Sequence, residues 1–229
     1  MPSSSGEGSP PPPPRHETPA DWAALPRDIQ CEIFSRLPSF DILRGAGLAC
    51  APWRRVAVDE PALWRHIDMD DEDGRWDARY WRSCLPMARA AIDRSAGRCE
   101  SFRGPADRHL LVYLAARAPS LRSLHVTGLW CLPDSFVDRV IPKLPMLERF
   151  VLSRGLLMRS TMRALLDHCP RLELLDASGG DCSTEDYKRS RLTRRCRRKI
   201  KVVNLPRRDL GCCFCPICNV KKFTAKQGN

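Results

Sequence analysis

The residues with the most obvious chemical potential lie near the C-terminus, where Cys212, Cys213, Cys215 and Cys218 crowd into seven positions. Cys212 with Cys215, and Cys215 with Cys218, have the C-x-x-C spacing of metal-binding thiolates. Zinc takes four tetrahedral ligands, usually as two separated pairs. Only Cys182, Cys196 or His168 could complete such a set, and none stands at a pairing distance in sequence. The spacing also fits part of an iron–sulfur motif, again without a placed fourth ligand. Cys212, Cys215 and Cys218 are therefore weak candidates, and the reading is no metal and no cofactor. Just upstream, Lys188 to Lys201 holds nine basic residues in 14. That run suits nuclear import or phosphate contact. No aromatic is interleaved with it, which disfavours stacking on single-stranded nucleic acid. A third cluster, Asp70, Asp71, Glu72 and Asp73, lacks the alternate spacing of a calcium loop and reads as solvated acid.

Charge separates this tail from the rest. The chain of 229 residues carries a net +11, yet residues 188–229 alone contribute 14 basic residues and one acid. The first 187 residues therefore sum to about −2, and their surface is not a nucleic-acid footprint on charge alone. No apolar run reaches the 18–20 residues of a membrane helix. The N-terminus lacks the apolar segment of a secretory signal. Most of the 12 cysteines stand singly inside apolar patterns, which points to a reducing nucleus or cytoplasm. Nucleotide-binding glycine loops, HExxH and GxSxG are absent from the sequence.

Five segments emerge. Residues 1–20, with seven prolines and four serines, cannot bury enough surface to order and read as a disordered lead. Residues 21–68 are rich in Leu, Ile, Phe and Trp. Leu25, Ile29, Ile33 and Leu37 recur every four residues, which is one face of a helix. Pro38 stops that helix. Ser39 or Asp41 can cap a second helix with Ile42, Leu43 and Leu48, and Pro52 opens a third with Trp53 and Val56. Phe34, Trp53 and Trp64 exceed what so small an interior can hold, so part of this apolar surface belongs to a partner or to the next domain. Residues 69–98 are a linker and a helix after Pro86, using Met87, Ala90, Ala91 and Ile92. Residues 99–180 repeat, and residues 181–229 form the disordered basic, Cys-rich tail.

The repeat is regular. Pro119-x-Leu121-x-x-Leu124-x-Val126 aligns with Pro145-x-Leu147-x-x-Phe150-x-Leu152 and with Pro170-x-Leu172-x-x-Leu175-x-Ala177, at offsets of 26 and 25 residues. A helical stretch precedes each. That period with an L-x-x-L-x-L core is a leucine-rich-repeat signature, three to four strand-and-helix units stacked around a parallel sheet. Cys99 to Phe102 fits a degenerate first strand. Residues between the pattern apolars alternate to the open face, giving ladders of Ser123, Arg149 and Leu174; of His125, Val151 and Asp176; and of Thr127, Ser153 and Ser178. A target recognised by the sheet would touch these. His125 and Asp176 stand two repeats apart with no nucleophile beside them, so catalysis is not expected. Three or four units sit at the lower limit for a stable array, and the substrate surface of such a shortened chain is expected to be incomplete.

Residues 21–68 also carry a specific resemblance. Leu25-Pro26, Ile33-Phe34, Leu37, Asp41-Ile42-Leu43, Ala49-Cys50, Trp53, Asp59, Pro61, Leu63-Trp64 and Ile67-Asp68 resemble the F-box motif in order and spacing. Asp28 stands for the more usual Glu and Ala49 for Val, while Gly45 and Gly47 weaken the second helix by roughly 1 kcal/mol each. With the repeats, the chain is similar to plant F-box proteins carrying leucine-rich repeats. The resemblance implies an α/β (α+β) architecture, with a three-helix F-box followed by a short repeat solenoid between disordered tails. It implies a non-catalytic substrate-receptor subunit of a cullin-based ubiquitin ligase. Leu25, Pro26, Ile29, Ile33, Phe34, Leu37, Leu43 and Trp64 would dock on a Skp-type adaptor, and through it on a cullin, while the repeats hold an unknown target. A second reading makes the chain a nucleic-acid- or zinc-binding regulator acting through its tail. A third makes it a decoy that binds the adaptor but no target.

Overall fold

The computed structural model describes residues 21–70, 78–127, 132, 136–153, 157–179 and 190–205. It opens with three short α-helices, α1 (Arg27–Ser35), α2 (Ser39–Arg44) and α3 (Ala51–Asp59), with single 3-10 turns at Trp22–Ala24, Ala46–Leu48 and Pro61–Trp64. Prolines set the boundaries. Pro26 and Pro38 stand just ahead of α1 and α2, where a missing N–H costs nothing. The second helix breaks at Gly45, so Leu48 lies on a separate turn and is exposed.

Six strands follow in one parallel sheet, in the spatial order β1 to β6. They are β1 (His66–Asp68), β2 (Ser101–Gly104), β3 (Ser123–Val126), β4 (Arg149–Leu152), β5 (Leu174–Asp176) and β6 (Val202–Asn204). The connections carry α4 (Ala78–Arg94), α5 (Arg108–Arg117), α6 (Arg159–His168) and α7 (Arg191–Lys199). Between β3 and β4 a wide π-helical turn, Phe136–Val140, runs into a 3-10 turn, Ile141–Lys143. Pro142 sits in that turn, where a regular α-helix would lose a bond.

One frame organises the core. The register aligns Ile67, Phe102, Leu124, Phe150, Leu175 and Val203 across the sheet. Three residues before each stands Trp64, Cys99, Leu121, Leu147, Leu172 or Ile200, all buried. Two residues after each stands Met69, Gly104, Val126, Leu152, Ala177 or Leu205. Gly104 is explained by its neighbour. Its φ is +151, and a Cβ there would lie 2.8 Å from the Cβ of Met69. The side chain missing from β2 is supplied from β1.

The frame extends the array beyond the sequence reading at both ends. Its first unit starts inside the helical segment, because Trp64 and Ile67 occupy repeat positions while also ending that segment. Trp64 is fully buried, donates Nε1 to the carbonyl of Ala57 at 2.9 Å, and lies under the Arg94 guanidinium. Ser39, expected as a helix cap, instead bonds β1 on both sides: it donates to the His66 carbonyl and accepts from the Asp68 N–H. The edge of the sheet at β1 is thereby covered by α2. At the other end, residues 190–205 are α7 and β6 rather than disordered tail. Ile200-x-x-Val203-x-Leu205 has no leucine at its first two positions, so spacing alone does not mark the unit.

Helix α4 also differs from expectation. It begins before Pro86 and runs through it, because Cys84, Ala88, Ala91 and Ile92 form a continuous buried stripe at helical spacing.

Candidate functional site

Two surfaces carry the candidate binding residues. The first is the outer side of α1. Successive residues on a helix point about 100° apart, and α1 turns Gln30 and Phe34 inward while Ile29 and Ile33 stay at the surface. Gln30 donates Nε2 to the carbonyl of Leu25 at 2.7 Å, which fixes how Leu25 and Pro26 enter the helix. Phe34 is 1% exposed and packs edge-on against Trp53, with ring centroids 5.2 Å apart. Ile33 and Leu37 pack one side against the core and keep the other at the surface, where with Ile29, 44% exposed, and half-buried Leu25 they form a partly open apolar stripe. Pro26 is exposed beside it and Leu43 is half-buried on α2.

Phe34 and Trp64, expected to dock on a partner, do not reach the surface. Both are core residues: Phe34 packs against Trp53 of α3, and Trp64 lies between Ala57 of α3 and Arg94 of α4. Trp22 and Val58 are the apolar groups the sequence reading missed. Trp22 is 61% exposed, with its carbonyl accepting the Trp53 indole N–H at 2.8 Å, and Val58 lies on the outer side of α3. Their exposure comes from tertiary packing, which no local spacing reports.

The second surface is the open face of the sheet. The register brings Ser123, Arg149 and Leu174 into one row and His125, Val151 and Asp176 into the next. The added strands lengthen these rows with Ser101 and Val202, and with Arg103 and Asn204. Thr127 does not join them. Strand β3 ends at Val126, so alternation no longer aims residue 127, and Thr127 is 2% exposed. Ser153 and Ser178 remain accessible.

The polar groups of this face are tied to one another. Arg103 bridges Asp68 and Asp70 at 3.2 and 2.7 Å. His125 Nε2 lies 2.5 Å from Ser153 Oγ. Burial, with the Arg103 charge beside it, holds the His125 imidazole below its ordinary value. Burial pushes the Asp176 carboxyl up, but hydrogen bonds from Asn204 and Ser178 outweigh it, and the net direction is downward. His125 and Asp176 therefore each have their own partners, with the β4 strand between them. Along the strand starts, Arg65 pairs with Glu100, Arg122 with Glu148 and Lys201 with Glu173, one charged residue from each strand.

The basic run is partly folded. Arg195 pairs with Asp167 at 3.0 Å, Lys199 donates to the Leu166 carbonyl, and Cys196 is buried on the inner side of α7. Burial pushes the Cys99 and Cys169 thiols up to about 12, so neither supplies a thiolate near neutral pH. Among the described residues no cluster of three or more His, Cys, Asp or Glu is arranged for a metal ion. Cys182, Cys212, Cys213, Cys215 and Cys218 lie outside the described residues.

The uncovered stripe lies in the segment that carries the decisive match. Residues 22–70 match the F-box-like family. Putative F-box/LRR-repeat protein 23 of Arabidopsis thaliana is 33% identical over 159 residues, 68% of this chain and 34% of the relative. The chain belongs with the plant F-box/LRR-repeat proteins. Putative F-box/LRR-repeat protein 22 of the same plant is 32% identical over 71% of this chain and 53% of its own length. F-box protein SKIP19, also of Arabidopsis thaliana, is 34% identical over 68% of this chain and 51% of its own length. The chain thus spans about a third to a half of these curated relatives. The F-box match ends at residue 70, so β1 lies inside the F-box segment and inside the sheet at once.

Proposed function

We propose that this F-box/LRR chain is the substrate-receptor subunit of an SCF-type ubiquitin ligase. Plant F-box proteins generally act as such receptors. The observation that carries the reading is the apolar stripe Leu25, Ile29, Ile33 and Leu37, only partly covered by the chain itself within an F-box match. Burying it requires a protein partner, and a Skp-type adaptor linked to a cullin is the partner an F-box takes. Pro26 and Leu43 border the stripe and join the docking set.

The strand-and-helix units are read as leucine-rich repeats running from Trp64 to Leu205, supported by the shared frame and by the names of the relatives. Their open face, with Arg149, Val151, Leu174, Asp176 and Ser178 among its groups, holds the target. The work in the nucleus or cytoplasm is then one of proximity. A target held on the sheet and a charged ubiquitin held through the cullin meet at a high effective concentration. No residue of this chain touches the bond being made, and the role is non-catalytic.

Co-expression with a Skp-type adaptor, followed by size exclusion, tests this. A 1:1 complex is expected. Leu25→Ala with Pro26→Ala abolishes it while thermal unfolding of the sheet is unchanged. Complex formation that ignores this pair of substitutions would sink the docking assignment.

A further inference from the structure

An open cleft of about 660 Å³ lies on the helical side, away from the sheet face and from α1. Its lining includes Arg89 from α4, Arg108, His109 and Tyr113 from α5, and Asp138 and Arg139 from the wide turn before β4. Several arginines of the folded body are answered by a carboxylate, among them Arg65 by Glu100, Arg103 by Asp68 and Asp70, Arg117 by Asp93, Arg122 by Glu148 and Arg195 by Asp167. Among the described residues, Arg89, Arg108 and Arg139 have no ion-pair partner. Three guanidinium groups thus line one cleft beside a single acid, Asp138.

The cleft is also braced. The Tyr113 hydroxyl donates to Asp93 at 2.5 Å, and Arg117 both pairs with Asp93 and covers the Tyr113 ring. The Arg89 guanidinium lies over the same ring, 4.7 Å from its centre. Arg89 is therefore held by a ring that is itself held, which lowers the entropy it loses on meeting a ligand. At the start of α5 the Asp107 side chain already accepts the Leu110 N–H, so the free donors of the cleft are side chains and not the helix end.

We propose that this cleft is a binding site for a phosphate monoester. Three guanidinium groups and one carboxylate leave a net charge of about +2. That complements the −1.5 to −2 of a phosphoryl group at neutral pH. Guanidinium forks match phosphate oxygens in pairs, and such charge-assisted bonds are about twice as strong as neutral ones. A phosphorylated side chain on a bound protein and a small free phosphate ester share this chemistry.

The test titrates the full chain with phosphoserine, with a short phosphoserine peptide, with inorganic phosphate and with the unphosphorylated peptide, by calorimetry at low salt. Saturable 1:1 binding is expected for the phosphate-bearing probes and none for the bare peptide. Tighter binding of the peptide than of phosphoserine points to a protein source, and equal binding points to a small ester. Arg108→Gln with Arg139→Gln weakens binding by about tenfold or more. Asp138→Asn tightens it, since the one repelling charge is gone. Arg194→Gln with Arg198→Gln, on the basic helix α7, leaves it unchanged. Circular dichroism and a melting curve confirm that each variant is folded. The site is refuted if the cleft variants bind like the parent, or if the α7 variants abolish binding instead. None of these readouts involves the adaptor, so they succeed or fail independently of the docking reading.

Discussion

Helices α1 and α6 are similar in length but use their apolar residues in opposite ways. Helix α6 buries Met162, Leu165 and Leu166 against the sheet. Helix α1 buries Gln30 and Phe34 but leaves Ile29 exposed and Ile33 half-buried, with Leu25 just before it and Leu37 just after it half-buried as well. The stripe with the cleaner four-residue period is the one left out. An amphipathic pattern says that a face will be covered. It does not say whether the cover is the same chain. In the repeat units the cover is the sheet, and each unit closes on its neighbour. In the F-box segment the stripe stays partly open, and the cover proposed for it is a second protein.

Trp64 is where the two regions meet, so it gives the largest expected effect. It is fully buried between α3, α4 and β1 and occupies the first frame position of the sheet. Trp64→Ala removes a large aromatic and leaves a cavity, at a cost of about 3–5 kcal/mol. For a chain of this size that lowers the melting point by roughly 10 °C or more. A single transition that loses helix and sheet signals together is expected in calorimetry. Two separate transitions, with only the helical part affected, would show that the F-box and the sheet are independent bodies.

Leu147→Ala comes next. The residue is fully buried at the same frame position in a central unit, and the expected loss is about 2–5 kcal/mol. Adaptor capture at low temperature is unaffected, because α1 is remote from β4. Urea melts followed by pull-down separate the two outcomes. Loss of capture under conditions where the variant remains folded would mean that the repeats shape the docking face.

The repeat frame was legible wherever Leu, Val or Phe filled it, and the F-box wherever its residue types recur in order. The end units were not. Trp64-x-x-Ile67-x-Met69 and Ile200-x-x-Val203-x-Leu205 obey the frame without its leucines, and Cys99-x-x-Phe102-x-Gly104 fits it only as a degenerate strand, with a glycine that a neighbour makes acceptable. Gly104 is tolerated because Met69 fills its space. Phe34 and Trp64 read as surplus because the helical segment was weighed alone. Trp53 covers Phe34 and α4 covers Trp64, so both are interior. The sheet face was legible through alternation as far as the strands extend, and Thr127 failed one residue beyond β3. The cleft beside α5 could not be read at all. Its arginines come from three segments 19 and 31 residues apart in sequence, and only the fold brings them together.

Ile29→Ala sharpens the contrast from the other side. Ile29 is 44% exposed, and alanine is the better helix former, so stability changes by no more than about 0.5 kcal/mol. Adaptor affinity falls by about 5- to 30-fold if Ile29 sits at the interface centre. Calorimetric binding to a Skp-type adaptor measures it. Affinity within twofold of the parent would move the docking face away from α1, toward Trp22 and Val58.

The smallest effect expected is that of pH on the sheet face. Burial, with Arg103 nearby, lowers the His125 pKa in the folded state from its ordinary 6.5. The unfolded chain then binds the proton more readily than the folded one. Stability contributed by neutral His125 is complete above 6.5 and is lost as pH falls below that value toward the depressed one. Arg103 and the Ser153 hydroxyl face the ring in the row, with Asp68 and Asp176 further off and pulling the other way. A modest drop in melting temperature between pH 7 and pH 5.5 is expected, and His125→Gln, which keeps a polar group against Ser153, removes part of it. Hydrogen bonds hold the Asp176 carboxyl below its ordinary 3.8, so the drop between pH 7 and 5.5 does not come from Asp176. If His125→Gln follows the parent curve unchanged through that window, His125 is already free of its burial, and the open face of the sheet is wetter than the row of tied polar groups implies.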